Sequence, residues 1–352
     1  MSPKEEEPLY NQKIVTIGGG TGHFTLLRGL VKYNNPELIT AIPATWDSGG
    51  SSGGLRVKEG ILPPGDYMQC LLALMEDEEQ LQEAITILRD RSGGDPLVNL
   101  LATRAEKAHH GVVGGIDGLR KLFRVRGKVV PVSTVDLDLY AKTRLGNIIE
   151  YEHEIDEKKN DGTFNQEDEI SRIYFSTKAP ANPEALQAIK EANLIIFSAG
   201  SPFTSRYAHL LVDQISQTIM ESEAQLIMID NLMTTGGEDH HLHNSSQHIA
   251  IQQHYLGDDE SVALGKLSRI NVLIANDNHI DEQLIKLYAS EGQNPIVLDE
   301  DECKRIAPGI DIIRKRLATY DRTSHLLRHD PDLLARTILQ LPVTHFDKVF
   351  SA

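Results

Sequence analysis

Four glycines in five residues, Gly18-Gly-Gly-Thr-Gly22, follow directly on four β-favouring residues, Ile14 to Ile17. From Phe24 the apolar spacing turns helical, with Phe24, Leu27, Leu30 and Val31 on one side. A strand, a glycine turn and a helix in that order make a phosphate-binding device. Gly18, Gly19, Gly20 and Gly22 let the backbone approach an anion closely, and the unpaired N–H groups of the first helical turn, at Thr21 and its neighbours, face it. The pattern predicts a nucleotide or phosphate site without naming the nucleotide. His23 stands where G-x-G-x-x-G needs its third glycine, and no Gly-Lys-Ser/Thr ending marks a Walker loop. An NAD-like dinucleotide suits the same turn through its pyrophosphate. The missing glycine, and the lack of an acid at the end of the second strand, speak against hydride transfer.

Asp47 and Asp66 are the carboxylates best placed for catalysis or for Mg²⁺, a hard ion that takes one or two carboxylates together with phosphate oxygens. Each has a plainer reading, Asp47 as a loop cap and Asp66 as the N-cap of a helix over 67–75. Ser48, Ser51 and Ser52 offer hydroxyls to a substrate or to their own turn. Gly200, Ser201, Thr204 and Ser205 lie between a buried strand and a helix that Pro202 can open, which makes either a second anion cradle or an ordinary capped start. Arg328 reads as a bidentate phosphate or base contact, or as a surface partner of Asp332. Tyr288 shares a helix face with Leu284 and Ile285, so it packs in the core or stacks on a ligand ring. His240, His241, His243 and His248 invite a metal, but the spacing is not HExxH and no cysteine supports it. A polar loop running into a helix fits them better.

The elements that position these residues alternate. Short apolar strands are expected at 14–17, 38–42, 194–198, 225–230 and 271–275, with further strands at 127–132 and 138–142. Helices are expected at 78–90, 97–109, 114–123, 183–192, 203–221, 241–255, 281–290 and 331–341. This order implies a parallel sheet covered by helices on both faces, with ligands at the carboxyl ends of its strands. The stretch 44–54 reads as a loop too polar and glycine-rich for the core. Residues 1–11 read as a disordered tail, 12–345 as a single α/β domain, and 150–170 as a charged exposed excursion. The 352 residues are 40% hydrophobic and 24% charged, with a net charge of -16. That balance suits a globular core and argues against nucleic acid as a partner. No apolar run approaches the length of a membrane helix, and Cys70 and Cys303 suit a reducing compartment. A cytoplasmic enzyme or ligand-binding protein is expected.

In combination these stretches resemble the YvcK/CofD-like family, the UPF0052 group often labelled gluconeogenesis factor. The matching pieces are Ile17-Gly-Gly-Gly-Thr-Gly22, Asp47-Ser-Gly-Gly-Ser-Ser-Gly53, Gly60-Ile-Leu-Pro-Pro-Gly-Asp66, Val125-Arg-Gly-Lys-Val-Val-Pro131, Ala199-Gly-Ser-Pro-Phe-Thr-Ser205, Asn231-Leu-Met-Thr-Thr-Gly236 and Arg328-His-Asp-Pro331. The resemblance spans about 13 to 341. It implies a CofD-like, Rossmann-related α/β domain, usually homodimeric. One branch transfers a phospholactyl group from a nucleotide-activated donor with Mg²⁺. The YvcK branch, which this chain is more similar to, is associated with UDP-sugar binding, carbon metabolism and cell shape. The resemblance assigns nucleotide-sugar contacts to Thr21, Tyr288 and Arg328, and metal binding to Asp47 and Asp66. The chain departs from the pattern in reading Asp47-Ser48 for an Asp-Asp pair and Asp95-Pro-Leu-Val-Asn99 for His-Ser-Leu-Gly-Asn. Losing an acid and a histidine weakens metal and acid–base chemistry more than phosphate binding, so a binding role is favoured over transferase activity.

Overall fold

The central strands of the main sheet are short apolar runs buried on both faces, which a parallel sheet sandwiched between helices can hide. In a computed structural model, which describes residues 9–91, 94–156, 168–235, 237–239, 241–277, 279–321 and 326–342, seven strands form that sheet. They are β1 (Ile14–Gly18), β2 (Ile39–Pro43) and β3 (Lys128–Val129), then, after three strands that lie elsewhere, β7 (Leu194–Phe197), β8 (Gln225–Ile229), β9 (Val272–Asn276) and β10 (Asp311–Lys315). The order is β10-β9-β8-β7-β1-β2-β3 with every pairing parallel. The chain moves outward from β1 through β2 to β3, then returns to the other side of β1. The switch point lies between β1 and β7, with Ile17 beside Phe197. That is where a crevice opens in sheets of this kind.

Alternation along the strands separates two cores. Val15 and Ile17 join Ile195 and Phe197 on one face, while Ile14 joins Leu194 and Ile196 on the other. The second face is covered by α1 (Gly20–Tyr33) and, through the chain between β2 and β3, by α2 (Gly50–Glu59), α3 (Gly65–Ala73), α4 (Glu78–Leu88), α5 (Leu97–Ala108) and α6 (Val112–Leu122). The three remaining early strands, β4 (Leu139–Thr143), β5 (Ile148–Glu150) and β6 (Ile170–Phe175), form a separate antiparallel sheet. A short α7 (Glu152–Asp156) follows β5. On the first face lie α8 (Pro183–Glu191), α9 (Ile215–Glu221) and α10 (Ser245–Leu256), followed by α11 (Asp259–Ala263), α12 (Glu282–Ala289) and α13 (Glu300–Ile306). A hairpin, β11 (Ala318–Asp321) with β12 (Leu326–His329), leads into α14 (Pro331–Leu339), which packs on α1.

Several local expectations are corrected. The glycine stretch is already helical from Gly20, because Gly20 adopts φ 61 and turns the chain sharply into α1. Asp66 is not the cap of its own helix: it sits one residue inside α3, whose N-cap is Pro64. The polar stretch 44–54 is partly core, with Thr45 and Trp46 buried and Gly50 opening α2. A single helix over 203–221 is replaced by tight turns at Pro202–Arg206 and Tyr207–Leu211, a break at Gln214 with φ 68, and α9. The strand at 138–142 belongs to the antiparallel sheet. Of the expected tail, residues 1–8 lie outside the described residues, whereas Tyr10 bridges to Asn34. The middle of the charged excursion, 157–167, also lies outside them. Its flanks are β5, α7 and β6.

Candidate nucleotide site and acidic chamber

At the carboxyl ends of β1 and β7 the backbones come unusually close. A Cβ on Gly22 would overlap the carbonyl oxygen of Ala199, so only glycine permits the approach. Opposite, Gly200 donates its N–H to Asn231 Oδ1 at 3.0 Å and accepts from Asn231 Nδ2 at 2.9 Å. These contacts hold the two turns as the walls of a cavity of about 290 Å³. Gly19 to Gly22 and Gly200 to Ser201 line one end of it, and Tyr288 and Arg328 the other. Gly18 lies beneath, against Ser198. His23, the residue that breaks the dinucleotide pattern, points into the core. Its Nε2 lies 2.7 Å from Thr16 Oγ1, and burial lowers its pKa to about 4, so the imidazole is neutral there.

Tyr288 and Arg328 form the far end of the cleft. Tyr288 is 8% exposed and packs with Leu232, Met233 and Leu327, yet it also lines the cleft. Its hydroxyl accepts the Leu327 N–H at 2.7 Å, which ties α12 to β12. Arg328 lies next in β12, on the cleft wall. Its expected surface partner Asp332 instead binds Lys32 at 2.9 Å.

A second cavity, also about 290 Å³, meets the first at Gly20, Ser201 and Ser205. Here Asp47 and Asp66 come together with Glu152 and His153 of α7 under Trp46. Asp66 reaches across to cap the neighbouring helix, accepting the Gly20 N–H at 2.8 Å on Oδ1. Burial, reinforced by the charge of Asp47, pushes its pKa up to about 7. Burial also raises Asp47, against the Gly49 N–H that Oδ1 accepts at 2.9 Å. Glu152 is pushed up to about 9 by burial and then by Asp47 and Asp156.

Ser48 ties α7 in place. Its N–H donates to Glu152 Oε2 at 3.3 Å. Its hydroxyl accepts the His153 N–H at 3.0 Å and lies 2.8 Å from His153 Nδ1. The neighbouring Ser51 binds Asp95 at 2.7 Å and receives Asn99 Nδ2 at 3.0 Å, so the altered Asp95–Asn99 motif buttresses α2.

The turn at Gly200–Ser205 already holds a carboxyl group of the chain's own. Glu238 accepts the Phe203 N–H at 2.8 Å and the Thr204 N–H at 3.3 Å, and also binds the Thr204 hydroxyl. Thr204 therefore faces Glu238, while Ser201 and Ser205 line both cavities. Burial raises Glu238 to about 8. The histidines of the polar stretch do not share one environment: His243 is exposed and His241 half-buried. His240 lies outside the described residues, and His248 is fully buried with Nδ1 3.1 Å from Asp230.

Among the described residues no group of three or more His, Cys, Asp or Glu side chains is arranged to hold a metal ion. The pair Asp47 and Asp66 nevertheless suits a hard cation assisted by ligand oxygens. Both are held above their usual range by burial, with the charge of Asp47 adding at Asp66, and a divalent ion between them would favour their charged forms. The contribution of Glu152 and His153 was hidden in sequence, because they lie roughly a hundred positions from Asp47 in a charged run that reads as solvent-facing. Asn231 was visible only as part of a motif.

Residues 14–318 match the family described as 2-phospho-L-lactate transferase CofD. The gluconeogenesis factor of Bacillus subtilis (strain 168) is 31% identical over 334 residues, covering 94% of this chain and 98% of that protein. A relative from Nostoc sp. is 34% identical over 333 residues, covering 93% of this chain and 68% of its own. The crystal structure of a UPF0052 family member from Bacillus halodurans is similar with a TM-score of 0.83 and 30% identity, covering 94% of this chain and 100% of that one. Among the described residues no helix is long and apolar enough to cross a membrane.

Proposed function

This chain belongs to the CofD family, and from that premise we propose that it is a binding protein for nucleotide sugars of the UDP class, with a regulatory role in carbon metabolism. The observation that carries the reading is the continuous cleft with a glycine-lined helix start at one end and Tyr288 with Arg328 at the other. Asp66 takes the Gly20 N–H, which leaves the Thr21 and Gly22 N–H groups of the first turn of α1 for phosphate oxygens. The apolar slot of Leu232, Met233, Tyr288 and Leu327 suits a planar base, and Arg328 supplies the countercharge. Calorimetric titration with UDP-N-acetylglucosamine tests this. Saturable binding is expected, and Arg328→Ala should weaken it by about ten-fold or more, the scale of a charge-assisted hydrogen bond. No binding of any UDP-sugar at millimolar ligand overturns the reading. A role in gluconeogenic growth and cell shape predicts that the gene restores both to a Bacillus subtilis strain lacking its own factor.

The pairing of Asp47 with Asp66 supports a second reading, a Mg²⁺-dependent transferase acting on a nucleotide-activated phosphoester. Asp47 and Asp66 would hold the ion, which when bound would neutralise phosphate charge. The chain's own part would be to orient the phosphates against α1 and to exclude water beneath Trp46. Nucleotide release that stops in Asp47→Asn would support it.

A further inference from the structure

The nucleotide cleft does not end at the glycine turn. Gly20, Ser201 and Ser205 belong both to it and to the acidic chamber, so a ligand whose phosphates rest on the first turn of α1 has its distal group directed into that chamber. The chamber wall comes from three distant segments: Trp46 and Asp47 after β2, Asp66 in α3, and Glu152 with His153 in α7.

We infer that the chamber is the subsite for the distal, non-nucleotide group, that it selects an uncharged hydroxyl-rich group such as a hexose over an anionic one, and that Glu152, carried in by α7, is the residue that reads it. The inference rests on the nucleotide-sugar reading above and assigns the sugar its place. Charge decides the class. The surroundings of the distal group are carboxyl side chains, seryl hydroxyls and one imidazole, with no lysine or arginine among the described residues that line the chamber. A further carboxylate or phosphate entering without a cation would meet the carboxyl groups of Asp47, Asp66, Glu152 and Asp156 and find no lysine or arginine to neutralise it among the described lining residues. Sugar hydroxyls can donate to carboxylates and accept from seryl and imidazole groups, and such a site discriminates strongly because its polar groups go unpaired when the hydroxyls are missing.

Ser48 acts as a positioning residue. Its N–H to Glu152 Oε2 and its hydroxyl to the His153 N–H form a two-point clamp that holds α7 against the Asp47 loop.

The test compares affinities for UDP, UDP-glucose and UDP-glucuronate, measured with chelator present so that no cation neutralises the chamber. In wild type, UDP-glucose should bind about ten-fold more tightly than UDP, and UDP-glucuronate no more tightly than UDP. Glu152→Leu should abolish the gain of UDP-glucose over UDP measured in the same variant, and Glu152→Gln should retain part of it. Ser48→Ala, measured alongside in case a Glu152 variant misfolds, should reduce the gain and Ser48→Thr should restore it. Equal affinity for UDP and UDP-glucose overturns the inference, as does a gain indifferent to Glu152 and Ser48, or a gain with glucuronate. If uridine nucleotides do not bind, the same comparison with ADP and ADP-glucose, or GDP and GDP-mannose, decides it. A gain there sinks the UDP reading and keeps the subsite, whereas no binding of any nucleoside diphosphate overturns both.

Discussion

The nucleotide cleft and the acidic chamber share three residues, yet they are built on opposite electrostatic plans. The cleft presents backbone N–H groups, an apolar slot and the Arg328 guanidinium. The chamber presents acids held far enough above their usual range that Glu152 and Asp66, at about 9 and about 7, keep protons that exposed acids have lost. Backbone recognition depends on how closely chains approach, so it is sensitive to a single added carbon. Side-chain recognition depends on charge, so it is sensitive to pH and cations. Perturbing one plan at a time should break the two apart.

The largest effect is expected from Gly22→Ala. The new Cβ would overlap backbone at Ala199 rather than a side chain that could swing away. Forcing the turns apart should cost about 3 kcal/mol of stability, the upper end for overpacking. Melting by calorimetry should show the loss, and nucleotide affinity should fall with it. A variant that melts and binds like wild type would mean the walls are not as rigid as the close approach implies.

An intermediate effect belongs to the chamber. Asp66 holds its proton up to about pH 7 when folded but loses it near its ordinary value when unfolded. The folded state therefore binds more protons in that window, and stability falls as pH rises from about 4 through 7. Glu238 and Glu152, at about 8 and about 9, extend the decline upward. Melting temperature measured across pH 5 to 9 should fall, and Asp66→Asn should flatten the lower part of the slope. Because a cation favours the deprotonated pair, added Mg²⁺ should raise the melting temperature more at pH 8 than at pH 6. A flat profile in wild type would argue that water relieves the crowding.

The smallest change is expected for Tyr288→Phe, which removes the acceptor for the buried Leu327 N–H and keeps the ring. It should cost about 1 kcal/mol and leave ligand affinity nearly intact, whereas Tyr288→Ala should weaken binding by emptying the slot. If the two variants bind alike, the ring does not contact the ligand.

Much of this molecule is legible without coordinates. Ile14 to Ile17 and Leu194 to Phe197 read as doubly buried strands because an unbroken apolar run has no solvent face to offer. Their alternation with helices then demands a parallel sheet with its crevice at the carboxyl ends. The glycines of the first turn announce a phosphate because four of them in five residues are too costly to order without close backbone approach. The antiparallel sheet, the broken helix after Pro202 and the true partner of Asp66 were not legible. Each depends on which segments meet: Asp66 caps α1 rather than α3 because the turn of β1 lies beside it, and Glu238 fills the turn at Phe203 from 35 positions away. Local spacing therefore determined where along the chain the glycine turn and the first helix fall. Only tertiary packing decided what surrounds that turn, because the chamber joins Asp47, Asp66 and Glu152, whose pKa values rise through burial, with the charge of Asp47 adding to the rise at Asp66 and Glu152.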